Sequence, residues 1–540
     1  MDFSKKRTRK EFRFVFFLFV VFCAGVFCLM VPLRLEHPFG VLPKDGERSQ
    51  INYYARIAFH EPGADPAKGL HKKNELLLKK GSVVTPKHID LLTEHNKAWE
   101  QGQRKFLYQD CAEKLLLSFL FLIFGYICIS QIQHTRLHDY HAVGAIAVLS
   151  LLLNGAFESL FLWVRTNCDI DLEMSLLFLP LALPALLIGT LYGLKDAFFI
   201  GLVTTGITAI MLGEDPFSVM IIGVIVCAAT AKVVCHISEY KKFFCYSFLV
   251  ISAGMFIGFL LFHLQAALAL NFLLQSLMFA CLNGLATVML AFFALLIIEP
   301  LFGIGTNMTY QDLTSSEHSC LKKMQEEAPG TWEHCNDVAR IAEFAAKKIG
   351  ANPFKAKVCA LYHDVGKLKF PEYFTENIGG KNICDTVFPD VAAKVILSHT
   401  EKVNIKTFVH RRHKFLIDAA RCHHGTRFLK YFYEKAVKRA EESGLPVPKE
   451  EDYCYRGPLP HTDEEVILML ADCSEAKCKS ESKKGEPFGE AEIQAVVEGT
   501  LLAILEEGQL EDANMSAQKL YTLCDAVVEA LVAKYTTKRV

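Results

Sequence analysis

Long apolar runs fill most of the first 300 residues, and they decide most of what this chain can fold into. One covers 14–31, and seven more lie at roughly 112–130, 142–164, 174–194, 196–212, 218–236, 244–263 and 270–298. Their lengths are near the ~20 residues a helix needs to cross a hydrocarbon core. Backbone in lipid must satisfy its own N–H and C=O groups, which leaves helices as the form for segments of this kind. The rest of the chain is far more polar, so the overall mean hydropathy of +0.24 and 51% hydrophobic content average two unlike halves. The fold expected is all-α, with a polytopic membrane bundle of about eight spans followed by an all-helical soluble domain.

Charge sets the topology. Lys5, Lys6, Arg7, Arg9, Lys10 and Arg13 precede the first run, and no small-residue cleavage site follows it, so 1–31 reads as a cytoplasmic N terminus with an uncleaved anchor. Residues 32–111 are polar and form a short extracytoplasmic segment. The seven runs of 112–298 then bring the chain back to the cytoplasm. Arg136, Lys195, Lys241 and Lys242 fall in loops assigned to that side, and the acidic GEDP at 213–216 falls outside, with Arg165 the one exception. Glu158 and Lys232 lie inside spans but close enough to an interface to snorkel. No run has the broken-helix character of a transporter. Residues 299–330 read as a connector containing a short amphipathic helix, and 331–540 as the helical domain. A net charge of −1 gives no case for a nucleic acid polymer as partner, and 18 Cys without CxxC spacing imply no disulfide framework.

Within 331–540, histidines and aspartates fall at the ends or inner faces of apolar helices. His334 lies on a helix whose stripe is Val338, Ile341, Ala342, Ala345 and Ile349, stopped by Gly350. His363 and Asp364 lie within LYHDVGK at the end of an apolar segment, His399 closes PDVAAKVILSHT, His423 and His424 close FLIDAARCHHG, and Asp472 sits inside EEVILMLADCSEA. Five helices would thus send seven nitrogen or oxygen donors toward one interior. Such a cluster is too unfavourable to leave unpaired, and divalent cations are the usual solution. Donors without thiolate suit iron or manganese better than structural zinc.

HDVGK with an upstream His and a downstream Asp resembles the HD superfamily of metal-dependent phosphohydrolases. From about Glu299 onward, EPLFGIGTNMTYQDLTSSEHSCLKKMQEEAPGTWEH, HDVGKLKFPEYFTEN, HHGTRFLKYFYEKA, YRGPLPHT and LADCSEA resemble the seven-transmembrane HD proteins. The PgpH-type enzymes of that family hydrolyse cyclic di-AMP. The polar segment is much shorter than the family's usual extracytoplasmic domain, and Lys477 and Lys479 stand where the family has an arginine.

The resemblance implies a two-metal phosphodiesterase of the inner cell membrane, opening cyclic di-AMP to linear 5′-pApA. His334, His363, Asp364 and Asp472 would hold one cation, and Asp364, His399, His423 and His424 the other, with Asp364 bridging. Lys367 would neutralise phosphate charge as a catalytic and substrate-binding group. Arg411 and Tyr431 are candidate substrate contacts. Two alternatives stay open, an HD phosphohydrolase acting on another nucleotide and a membrane receptor whose HD domain senses a nucleotide without turning it over.

Overall fold

The computed structural model describes residues 140–536 except 168–171, 213–215, 265–268, 379–382, 402–404, 407–408, 410–412 and 484–487, together with parts of 44–98 and Leu116. The runs at 14–31 and 112–130 lie outside the described residues. The chain divides into two compact units, one of Met1–Cys235 with Phe244–Phe292, the other of His236–Phe243 with Phe293–Val540.

In the first unit, two short antiparallel pairs join β1 (Tyr53–Tyr54) to β4 (Leu76–Leu78) and β2 (Phe59–His60) to β3 (Leu70–His71), beside a helix α1 at 86–98. Leu77, Leu78, Val84 and Leu92 form a small core of their own. These strands are the exception to the all-helical expectation. Five apolar helices follow, α2 (Tyr140–Asn167), α3 (Leu183–Leu191), α4 (Leu194–Leu212), α5 (Pro216–Val234) and α6 (Tyr240–Phe262), then α7 (Leu270–Phe302). Among the described residues, Leu194–Met211, Pro216–Val234, Tyr240–Phe262 and Leu270–Phe302 are long and apolar enough to cross a membrane. Small residues let α4 and α5 approach closely; a Cβ on Gly223 would sit 2.2 Å from the Thr205 methyl.

The expected span at 174–194 is not one helix. Residues Leu172–Phe178 form a 3-10 turn, a bend follows, and α3 is only nine residues long. Pro180 and Pro184 supply the reason, since each lacks the N–H that would bond the preceding turn. Side chains of neighbouring helices bond carbonyls at this break. Asn283 Nδ2 donates to Leu179 O at 2.9 Å, and Cys227 Sγ lies 3.2 Å from Leu181 O. Broken backbone is tolerated at membrane depth where neighbouring helices satisfy it in this way.

The second unit is helical: α8 (Asn307–Leu313), α9 (Ser319–Glu327), α10 (Pro329–Ile349), α11 (Pro353–Tyr362), α12 (Pro389–Ser398), α13 (Lys414–Cys422), α14 (Lys430–Ser443), α15 (Asp463–Glu481), α16 (Glu490–Glu506) and α17 (Ala517–Thr536). Caps fix where the helices begin and end. Asn352 Oδ1 accepts from Phe354 N and Lys355 N at the start of α11, and Thr462 forms a capping box with Glu465 at the start of α15. Gly350 and Gly444 end α10 and α14 in the left-handed conformation. Helix α15 runs through the middle, with Val466 through Ala471 all buried, and α10, α11, α13, α16 and α17 contribute to the same core.

The segment expected as a connector joins that core. Tyr310 and Leu313 of α8 and Cys320, Leu321 and Met324 of α9 are buried among the residues of α10 and α11. Tyr362 OH donates to Leu313 O at 3.1 Å, and Glu299 at the end of α7 accepts from Thr306 N and Thr309 Oγ1.

Candidate metal centre

Three histidines are presented by one repeated device. His363, His399 and His423 are the C-cap residues of α11, α12 and α13. A helix leaves its last carbonyls without intrahelical donors. In each case Nδ1 faces the carbonyl three residues earlier, Ala360 O at 2.7 Å, Ile396 O at 2.5 Å and Ala420 O at 2.8 Å. A carbonyl can only accept, so each Nδ1 carries a proton and each Nε2 is turned inward.

These inward atoms crowd one another. His399 Nε2 lies 3.3 Å from His423 Nε2, and both rings are buried. Burial pulls His399 down to about 4 and is the main cause that lowers His423, so near neutral pH neither ring supplies a proton to share. Two lone pairs at that separation call for a cation between them. His424 is likewise pulled down, to about 3, by burial.

Asp364 lies between the two sides of the cluster. Its Oδ2 is 3.2 Å from His363 Nε2 and 3.8 Å from His334 Nε2, while Oδ1 is 3.5 Å from His399 Nε2 and 3.7 Å from His423 Nε2. Asp364 Oδ1 and His363 Nε2 are buried without a hydrogen-bond partner. Asp472 Oδ1 accepts from His334 Nε2 at 2.9 Å and lies 3.6 Å from His363 Nε2, and its Oδ2 lies 3.8 Å from His424 Nδ1. Among the described residues, three groups have donor atoms within 4.8 Å of one another: His334, His363 and Asp364; His363, His423 and Asp472; His399, His423 and His424. All seven residues read from the sequence therefore meet, and orphaned atoms, facing lone pairs and a nitrogen and oxygen donor set fit divalent cations.

Electrostatics follow from this crowding. Burial alone would raise the carboxyls of Asp364 and Asp472, but their charged neighbours hold both well below the usual range; for Asp364 these are His363 and Lys367, and for Asp472 they are His334 and His363. For His334, burial is outweighed by hydrogen bonds to Asp472 and Glu475, which push it up to about 10. A metal binding at His334 would thus displace a proton.

Lys367 is engaged at the cluster itself. Its Nζ lies 2.7 Å from Asp364 Oδ2 and 2.7 Å from Glu376 Oε1, and 4.9 Å from the centre of the Phe374 ring. Gly366 makes this junction possible, because a Cβ there would sit 1.9 Å from His399 O. Tyr431 is not brought to the cluster: its ring is exposed and packs on Lys435 and Phe432. Arg411 lies outside the described residues.

Sequence reasoning missed four neighbours. The ring of Tyr455 is 4.5 Å from that of His424, and the ring of Phe374 is 5.6 Å from that of His399. Glu475 accepts from His334 Nδ1 at 2.7 Å, and Glu376 pairs with Lys367. Glu475 had a signal, standing three residues after Asp472 on the same helical face.

Similarity to known proteins agrees with this geometry. Residues 111–306 match a family described as a 7TM receptor with intracellular HD hydrolase, and residues 331–477 match the HD domain. A cyclic-di-AMP phosphodiesterase PgpH of Listeria monocytogenes is 35% identical over 48% of this chain and 35% of its own length. Its counterpart of the same name in Bacillus subtilis is 33% identical over 46% of this chain and 34% of its own length. The matched stretch thus spans about a third of these curated relatives. The crystal structure of the L. monocytogenes PgpH HD domain in complex with cyclic-di-AMP is 36% identical and matches 41% of this chain and all of that one, with a TM-score of 0.37. Two adjoining family matches, one over apolar helices and one over the helices that carry the His–Asp cluster, identify this chain as a membrane protein that belongs to the family of seven-transmembrane receptors with an HD hydrolase domain.

Proposed function

We propose that the chain is a membrane-embedded phosphodiesterase that hydrolyses cyclic di-AMP to linear 5′-pApA with two divalent cations, iron or manganese. The observation that carries this reading is the pair of buried Nε2 atoms at 3.3 Å beside the orphaned Oδ1 of Asp364. The names of the Listeria and Bacillus relatives support the substrate.

His334, His363, Asp364 and Asp472 would hold one cation, and Asp364, His399, His423 and His424 the other. When bound, such cations supply Lewis acidity to a phosphoryl oxygen and make water acidic enough to ionise near neutral pH. In the reaction, the oxygen of one water bonds phosphorus, the P–O3′ bond breaks, and the departing ribose oxygen takes up a proton. Within the chain, backbone carbonyls of α11, α12 and α13 orient three imidazoles through Nδ1. Lys367 fixes the Asp364 carboxylate, and its positive charge would offset that of a bound phosphate. Tyr455 and Phe374 form apolar walls against the histidines and shield them from bulk water. The arginine and lysine distribution between the apolar runs supports a cytoplasmic position for this domain, where a cyclic dinucleotide would reach it.

The test is direct. The full chain in detergent with manganese or ferrous iron should convert cyclic di-AMP to 5′-pApA, resolved by chromatography, and His363→Ala combined with Asp364→Ala should abolish conversion. Cleavage of cyclic di-GMP alone, or unchanged turnover in the double variant, would refute the assignment.

A further inference from the structure

Helix α17 lies beyond the stretch that matches the HD domain, yet it reaches the metal cluster. Lys534 near its end places Nζ 2.6 Å from Glu475 Oε1 and 2.7 Å from Asp337 Oδ2. Glu475 is fully buried, and its other oxygen accepts from His334 Nδ1 at 2.7 Å. His334 needs this outside acceptor for a structural reason. The three C-cap histidines use spare carbonyls at the ends of their own helices, whereas His334 stands inside α10, where the carbonyls are taken by the helix.

We propose that Glu475 and Lys534 are positioning residues for the metal centre: Glu475 fixes the His334 ring with Nε2 toward Asp472 and Asp364, and Lys534 holds Glu475 in place. A buried carboxylate accepting from the outer nitrogen of a metal-ligating histidine sets both the tautomer and the direction of the ring. Lys534 leaves Glu475 Oε2 for the imidazole by occupying Oε1, and it anchors the pair to α10 through Asp337. The C-terminal helix thereby becomes part of the centre without touching a cation.

This inference rests on reading the cluster as a metal centre, and manganese binding separates the two. Affinity is measured by titration calorimetry on the full chain in detergent, with metal content by elemental analysis and folding by circular dichroism. Glu475→Gln is expected to weaken binding ~10–100-fold, because a carboxamide can donate or accept at Nδ1 and no longer selects the tautomer. Lys534→Met should weaken it about tenfold, and Lys534→Arg should restore it to the parent value. Should Glu475→Gln fail to fold, the Lys534 pair carries the test. A parent chain that binds no manganese sinks the metal reading itself. Parent affinity in Lys534→Met, or equal weakening in Lys534→Met and Lys534→Arg, overturns the role of Lys534. Parent affinity in a folded Glu475→Gln overturns the inference and leaves the metal centre standing.

Discussion

Replacing Lys367 by Met tests how charge is balanced around Asp364. The amine lies 2.7 Å from each of two carboxylates, Asp364 with a side chain 2% exposed and Glu376 at 19%. Methionine keeps an apolar stem against Phe374 and removes the cation. Deleting one partner of a buried pair destabilises by about 3–5 kcal/mol, because the remaining charge stays desolvated. For a domain of this size, ~2–4 °C per kcal/mol converts that to a fall of about 6–20 °C in the unfolding midpoint. Calorimetry of the full chain in chelator should show this fall in the transition of the helical domain. Added manganese returns positive charge beside Asp364, so it should raise the midpoint of the variant more than that of the parent. A fall under ~2 °C, or equal manganese shifts in the two proteins, would refute the claim that Lys367 balances the buried carboxylates.

Three further outcomes are expected. Gly366→Ala should lose manganese binding and hydrolysis while remaining helical by circular dichroism, since its Cβ would meet His399 O at 1.9 Å and separate His399 from His363 and Asp364; parent-like binding would contradict that close approach. Gln509→Ala should lower stability by about 1–3 kcal/mol, because Gln509 Oε1 accepts from Thr426 N at 2.8 Å and secures the turn after His424; denaturant midpoints check it. The carboxyl of Glu475 is held down at about 2, burial being outweighed by His334 and Lys534, so its contribution of roughly 3 kcal/mol is present above pH ~4.5 and lost as pH falls toward 2. In chelator, Glu475→Gln should therefore lose less stability than the parent across that window, and parallel acid profiles would argue against the pairing.

The order His, His–Asp, His, His–His, Asp was legible in the sequence because each residue closes or lines an apolar stretch, and helix ends can be read from Gly350, Asn352 with Pro353, and Gly444. The neighbours of the cluster were harder to read for a physical reason. Glu475 and Lys534 meet across 59 residues, and nothing in the local pattern around Lys534 distinguishes it from a solvated lysine. Tyr455 lies in YRGPLPHT, where resemblance is the one signal, and the aromatic ring of Tyr431, a candidate substrate contact by residue type, turns to solvent. In the membrane half, averaging hydropathy over 174–194 concealed Pro180 and Pro184, whose missing donors break the helix there. The 299–330 segment reads as a connector with a short amphipathic helix, because EPLFGIG carries a proline and two glycines, yet Tyr310, Leu313, Leu321 and Met324 are each buried.

The bond between the Tyr362 hydroxyl and Leu313 carries a practical corollary for dissecting the molecule. A polypeptide trimmed to start at 331 would strip Tyr362 of its acceptor and leave bare the greasy flank that α8 and α9 cover. Such a piece should precipitate, whereas one that starts ahead of Thr306 retains the cover it was built to wear.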